Sequence, residues 1–432
     1  MLNRKCPVAP QSAVELLSRP FARCPFPALR RLQEEGAVHQ VETLPWYLVT
    51  QYDECLRILR NTEDFSSEFR EFGESMRQVG LTPTPEVVAR MQAIGGERGS
   101  MFDVILHRDP PVHGHQRRLV NEALLTGRPG WEEMITETVR HLMEVFHAAG
   151  EIEFISAIAA PLPIAVISHI LGIPEEMRQK VKQWADASTA ATGRIASDDD
   201  WLRMSEAIAE QRSFFASELR KRIDNPADDL ISLFAQDVRR QGQDGQQALT
   251  FDEAVEILVL LLVAGNETTT QLMGAAALYL ATEKVLLERL RGDASLISTF
   301  VEETLRLTAP IQTMMRFVIK DTEIAGVAIP KGSLVSVCFN QASRDQAKFG
   351  DNADGFNLDR SNLRHHLAFS SGIHTCPGAR LARLETRILL EHLVKTIDRV
   401  WISGDDAVEY NMASLGVRGM TSLRLQYERT SR

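Results

Sequence analysis

Apolar positions recur every three to four residues through most of this chain and alternate with polar ones only in short stretches, which predicts a mainly helical fold with a small β portion. The strongest helical signal begins at Thr250-Phe251-Asp252-Glu253. There a threonine and a glutamate three apart form a capping box that satisfies the first free backbone N–H groups. The pattern continues through an apolar run at 257–265 to about residue 281, a length of roughly 45 Å at the helical rise per residue. That run is too short to cross a bilayer, so it reads as a buried helix long enough to traverse a domain.

Further helices are predicted over 28–35, 53–60, 201–223, 295–307 and 379–397. Helical periodicity also dominates 112–190, where Pro161-Leu162-Pro163 and Gly172-Ile173-Pro174 read as breaks. Strand patterns occupy 38–42, 46–50 and parts of 316–339, with turns at Gly326 and Lys331-Gly332. Residues 68–108 hold Pro83, Pro85, Gly95, Gly96 and Gly99 without a sustained period, and long irregular segments often carry function. No repeat, low-complexity tract or flexible linker divides the chain. Residues 1–432 therefore read as a single domain behind an irregular, proline-rich segment at 1–27.

Composition narrows the function. At 44% hydrophobic and 25% charged, the 432 residues can bury a large core. A net charge of −10 without any basic block argues against a nucleic-acid partner, which needs clustered Lys and Arg. The five cysteines are scattered with no Cys-x-x-Cys pair, as expected for reduced thiols in a cytoplasmic protein. No signal-length or membrane-length apolar run appears near the start, and we expect a monomer without a membrane span.

One cysteine stands out. Residues 369–378 read F-S-S-G-I-H-T-C-P-G, and a helical pattern starts directly after them. Cys376 thus stands where backbone N–H groups and a helix dipole favour negative charge, a setting for a metal-bound thiolate. On these grounds alone several metals, or a buried inert thiol, remain open. The segment, with Phe369, Gly372, His374, Cys376 and Gly378, resembles the heme-binding loop of the cytochromes P-450, F-x-x-G-x-x-x-C-x-G. The order and spacing of the predicted elements resemble the P-450 fold over nearly the whole length. The resemblance implies heme b with Cys376 as axial ligand of the iron, a long central helix over the heme and the cysteine loop beneath it.

Other segments extend the likeness. Ala264-Gly265-Asn266-Glu267-Thr268-Thr269 sets a carboxylate beside a hydroxyl and a glycine within the long helix, a pair able to move protons if it is not merely a helix surface. By resemblance this is the oxygen-binding kink, with Thr268 and Glu267 catalytic and Ala264 and Gly265 lining the heme. Glu303-Thr304-Leu305-Arg306 is an E-x-x-R pair on one helical face, which most often is only a solvated ion pair. In the family it forms a buried structural network with a second arginine, for which F-N-L-D-R offers Arg360. Asp109-Pro110-Pro111-Val112-His113-Gly114-His115-Gln116-Arg117 resembles the family's D-P-P-x-H-x-x-x-R. His113, Arg117, Arg316 and His374 are the implied donors to the heme propionates, with His115 a bystander.

Arg380, Arg383 and Arg387 recur on one face of the helix behind the cysteine, either as a solvated stripe or as a dock for an acidic electron donor. No nucleotide- or flavin-binding pattern is present, so electrons are expected from a separate ferredoxin and its reductase. The implied pocket walls are 68–108, 187–203, 260–268, 311–315 and 415–417, mainly apolar, with Met76, Met91, Met101, Met314 and Met315 as adaptable lining or core filler. A terpenoid, steroid or similar lipophile is the expected substrate of an O2-dependent monooxygenase. A peroxide-driven peroxygenase and a heme-bearing recruitment module without turnover are the alternatives.

Overall fold

In the computed structural model, residues 24–68, 82–95, 104–124, 129–147, 149–188, 196–241, 248–410 and 416–430 are described. Helix α1 (Phe26–Glu35) precedes the antiparallel pair β1 (Val38–Gln40) and β2 (Trp46–Val49), and α2 (Tyr52–Arg60) follows. β2 pairs in parallel with β8 (Leu334–Cys338), which pairs antiparallel with β5 (Thr313–Val318), which in turn pairs with β3 (Phe65–Ser66). Every position of β8 is buried, as befits a strand covered on both faces. The hairpin of β6 (Thr322–Ile324) and β7 (Val327–Ile329) turns on Gly326, whose φ of +82° suits glycine.

The helices are α3 (Pro85–Gly95), α4 (Val112–Leu124), α5 (Trp131–Leu142), α6 (Pro161–Leu171), α7 (Arg178–Ser188), α8 (Asp198–Asp224), α9 (Leu230–Arg239), α10 (Phe251–Thr282), α11 (Lys284–Gly292), α12 (Leu296–Thr308), the short α13 (Phe339–Ala342) and α14 (Gln346–Phe349), and α15 (Ala379–Thr396). The fold is mainly helical, as its apolar periodicity predicts. Pro161-Leu162-Pro163 opens α6 instead of breaking a helix, because the first turn needs no N–H donor from proline. Gly172 ends it at φ +81°, where a Cβ would lie 2.3 Å from Asp229 Oδ2.

A second sheet was not legible in the sequence. β11 (Met420–Arg429) pairs with β10 (Val408–Tyr410), with β4 (Ala149–Glu153) and with β9 (Ile397–Ile402). One apolar cluster runs from Tyr47 to Tyr427 and takes in α10 along its length. Thr250 and Glu253 form the predicted capping box, and α10 is continuous for 32 residues. Helical pairing runs through Gly265 without a break. Gly265 lies against Ile167 of α6, where even a Cβ would make only ordinary contact. By length and composition α10 could span a bilayer, but most of it is buried inside the fold. Cys55, Cys338 and Cys376 are free, whereas Cys24 is disulfide-bonded, contrary to the expectation of uniformly reduced thiols.

Candidate active site

Gly372 anchors the cysteine loop. Its φ is +71°, and a Cβ there would lie 2.5 Å from the Leu59 carbonyl oxygen at the end of α2, so only glycine lets the loop approach. The Cys376 N–H donates to the Phe369 carbonyl at 2.9 Å, and the backbone N–H groups of Gly378 and Ala379, at the entrance of α15, donate to the cysteine sulfur. Burial pushes the Cys376 thiol up, while those N–H groups and the charges of Arg117 and Arg383 oppose it. The partly exposed sulfur is therefore a weak acid by itself and a site where a cation would draw off the proton.

Four predicted donors converge beside this loop. His113, on α4, and His374 meet edge to face with ring centroids 4.5 Å apart. Arg117 donates to the Thr375 carbonyl, and Arg316 on β5 is buried, donating to the Met315 carbonyl at 2.8 Å. Burial and the surrounding cations drive His374 down to about 2, so it is neutral, with Nε2 3.0 Å from Ser67 Oγ. Burial holds Arg316 down to about 10, and Asp109 is the charge that opposes this. Asp109 itself accepts from Ser66 Oγ at 2.5 Å and from the Ser67 N–H at 3.1 Å. His113 is buried with Nε2 lacking a partner among the described residues. A cationic cluster with an orphaned ring nitrogen is incomplete without an anion. His115, the bystander, faces Glu253 at the start of α10.

On α10, Thr268 Oγ1 donates to the Ala264 carbonyl at 2.9 Å, the back-bond its position predicts. Ala264 is exposed although its neighbours Leu262, Val263 and Asn266 are buried, so this face of the helix is left uncovered by the rest of the fold. Burial raises Glu267 above the usual carboxylate range, partly opposed by a 2.8 Å hydrogen bond from Gln271 Nε2 to Oε1.

Glu303 and Arg306 are fully buried and come together with the nearly buried Arg360 side chain. Arg306 Nε and Nη2 donate to Glu303 at 2.7 and 2.8 Å, and Arg360 Nε donates at 3.3 Å. The remaining Arg306 donors reach the carbonyls of Ser343, Ala353 and Gly355, and the Asn357 N–H donates to Glu303 at 2.9 Å. This is a saturated network rather than a surface pair.

The arginine stripe on α15 is less free than its sequence implies. Arg383 donates twice to Glu302, at 2.5 and 2.9 Å, and lies 4.5 Å over the Phe369 ring. Arg387 is tied to Glu132 and Glu391, each at 2.6 Å. Of the three, Arg380 is the exposed one, and Arg383 and Arg387 are half-buried. Burial alone would raise Glu302, yet hydrogen bonds from His366 and Arg383 outweigh it and hold the carboxyl at about 2. The sequence reading missed Glu302, His366, Ser67 and Gln271. Of these only Gln271 had a signal, its position one turn after Glu267.

Ile311 bridges Val417 and brings two of the expected pocket stretches together. Met91 packs against Val87 and Trp201, and Met315 against Trp46 and its neighbours, so both act as core filler. Met76, Met101 and Leu415 lie outside the described residues. A small apolar cavity lined by Phe146, Phe154, Leu280, Leu393 and Tyr427 sits well beyond Thr268 along α10 and includes none of these site residues.

The cytochrome P450 family model matches residues 290–409. The polyketide biosynthesis cytochrome P450 PksS of Bacillus subtilis is 30% identical over 418 residues, covering 93% of this chain and 96% of that protein. A steroid C26-monooxygenase of Mycobacterium tuberculosis is 31% identical over 325 residues, 75% of this chain and 85% of that protein. The solved structure of P450BioI in complex with a hexadec-9Z-enoic acid ligated acyl carrier protein superposes with a TM-score of 0.81 at 27% identity, over 95% of this chain and 99% of that one. With the helical architecture and the cysteine loop already in place, these likenesses show that the chain belongs to the cytochrome P450 family, heme b enzymes of the monooxygenase type.

Proposed function

We propose that this chain holds heme through Cys376 and, with electrons from a separate ferredoxin and its reductase, inserts one oxygen atom from O2 into a lipophilic small molecule such as a terpenoid or steroid. The residues present fit the group. The donor cluster of the charged Arg117 and Arg316 with His113 and the neutral His374, and the orphaned His113 Nε2, suits two buried propionates, and the Cys376 sulfur stands beside it within reach of Arg117. When bound, the heme supplies the oxygen-activating chemistry.

The rest is the work of the chain. Gly378 and Ala379 N–H groups stabilise the thiolate, and Phe369, stacked under Arg383, shields its side of the loop. Ala264 and Gly265 give the long helix a low surface on which a flat cofactor and a small ligand fit. Glu303, Arg306 and Arg360 lock the approach to the cysteine loop. Glu267 keeps its proton more readily than a solvated carboxyl, and Thr268 holds a hydroxyl next to it whose own proton rests on the Ala264 carbonyl. The pair therefore relays protons from solvent to the oxygen-binding face.

That acid–hydroxyl pair is the observation that carries the O2-dependent reading, since peroxide-driven chemistry needs no delivery of protons from outside. The relatives' printed names point to polyketides, a steroid and a fatty acyl chain, which supports a lipophile without choosing one. Product formation from O2 with a ferredoxin system, compared with hydrogen peroxide alone, tests the proposal. Turnover confined to the ferredoxin system is expected. Turnover confined to peroxide would make it a peroxygenase, and none with either would leave a binding module. Lipophiles that move the Soret band from low to high spin are the substrates to begin with.

A further inference from the structure

Gln271 lies one helical turn after Glu267 and is 2% exposed. Its amide is fixed at both ends by one residue of a distant strand. The Met420 N–H, at the start of β11, donates to Gln271 Oε1 at 2.5 Å, and Gln271 Nε2 donates to the Met420 carbonyl at 3.2 Å. A backbone N–H can only donate and a carbonyl can only accept, so the amide has one possible orientation. The second proton of Nε2 then points to Glu267 Oε1, 2.8 Å away. Gly419 completes the clamp. A Cβ there would fall 2.8 Å from Gln271 Nε2 and 2.9 Å from Glu267 Oε1, so a side chain at that position would push the two apart.

We infer that Gln271 is a positioning residue that makes Oε1 of Glu267 a permanent acceptor, so that the proton the acid holds and hands on resides on Oε2. An oxygen that accepts from an amide N–H cannot point its own proton along the same line, and Gln271 cannot reverse its amide without breaking both bonds to Met420. The carboxyl is thereby held in one rotamer with one working oxygen. The groups that face it from other elements are Lys182 and Asp186 on α7, an ion pair with an N–O distance of 2.7 Å, and the Gly419–Met420 backbone. The inference rests on the proposed role of Glu267 only for its consequence in turnover, not for the geometry.

Infrared difference spectroscopy of the heme-loaded, substrate-free enzyme tests it across its range of pH stability. The carboxylic C=O band of Glu267, identified as the band lost in Glu267→Gln, should lie at the low frequency of an accepting carbonyl. In Gln271→Leu it should move to higher frequency. Its titration midpoint should rise by about one pH unit, since the lost bond favours the ionised form. Gln271→Asn keeps the amide but falls one methylene short, and should give the same displacement if the leucine variant does not fold. A band and midpoint unchanged in a folded Gln271 variant would overturn the clamp. If the band moves while Glu267→Gln leaves product per O2 unchanged, the clamp stands and the relay reading fails.

Discussion

The two sides of the site are held by opposite means. On the cysteine side, charges are matched by charges: Glu303 lies between Arg306 and Arg360, and Glu302 between Arg383 and His366. On the long-helix side the partners are neutral, a glutamine amide for Glu267 and a backbone carbonyl for Thr268. A buried ion pair fixes geometry but resists any change of protonation, because removing one charge strands the other. A group that must gain and lose protons is better held by a neutral donor, which tolerates both states. The cysteine side is thus built to stay still, and the helix side has the neutral partners that the proposed proton relay needs.

Breaking the cysteine side should have the largest effects. Cys376→Ser should abolish the far-red-shifted CO adduct of thiolate-bound heme completely, and its survival would overturn the ligand assignment. Glu303→Ala would leave Arg306, 0% exposed, without its carboxylate, at a cost of about 3–5 kcal/mol. Denaturant titration should read that loss together with low heme content, and normal heme content would sink the structural role.

Glu385 sharpens the contrast, being an acid on α15 without a compensating charge and with Oε2 lacking a partner among the described residues. Burial pushes it up to about 8, against about 4.3 in an unfolded chain. A carboxyl raised by folding contributes stability that is full below the unfolded value and lost as pH rises through the folded one. The contribution of Glu385 should therefore fall between about pH 4 and pH 8, so the stability of Glu385→Gln relative to wild type should rise across that window by an amount on the order of 5 kcal/mol. Parallel slopes in the two proteins would show that Glu385 finds a partner.

How far the sequence could be read follows the same division. The cysteine loop compresses its requirements into ten consecutive positions, one of them a glycine forced by contact with Leu59, so it was legible at once. The E-x-x-R pair was visible as a local spacing, but its burial depends on carbonyls about 40 to 50 residues away and its third member, Arg360, came from resemblance alone. The Gln271 clamp depends on Met420, 149 residues distant, at the irregular start of a strand whose alternation becomes regular only from Leu423, and no local pattern links the two. The stripe on α15 stayed open between a dock and a solvated face for a related reason, since the partners of Arg383 and Arg387 include Glu302 and Glu132 on other helices.

On the helix side the expected losses are smaller and concern coupling, not folding. Thr268→Ala removes a hydroxyl bonded only to its own helix, so stability should change by less than about 1 kcal/mol. Product formed per O2 consumed should drop by about tenfold as protons reach the site by less directed routes. Unchanged coupling would assign the relay to another group. A large loss of stability would show instead that the hydroxyl is part of the scaffold, erasing the distinction between the two sides.

The smallest effect is expected where sequence alone suggested an interface. Arg387 joins Glu132 on α5 to Glu391 on its own helix, and its side chain is 30% exposed. Its charge is therefore largely cancelled nearby, and partly exposed pairs of this kind contribute little beyond about 1 kcal/mol. Arg387→Gln should change the rate of reduction by a ferredoxin by no more than about twofold, with little change in its dependence on salt. Arg380→Glu in the same assay reports on the exposed end of the stripe. A salt-sensitive collapse of the rate in the Arg387 variant would mean that its ion pairs open to receive the partner, making this part of the cysteine side as mobile as the helix side is proposed to be.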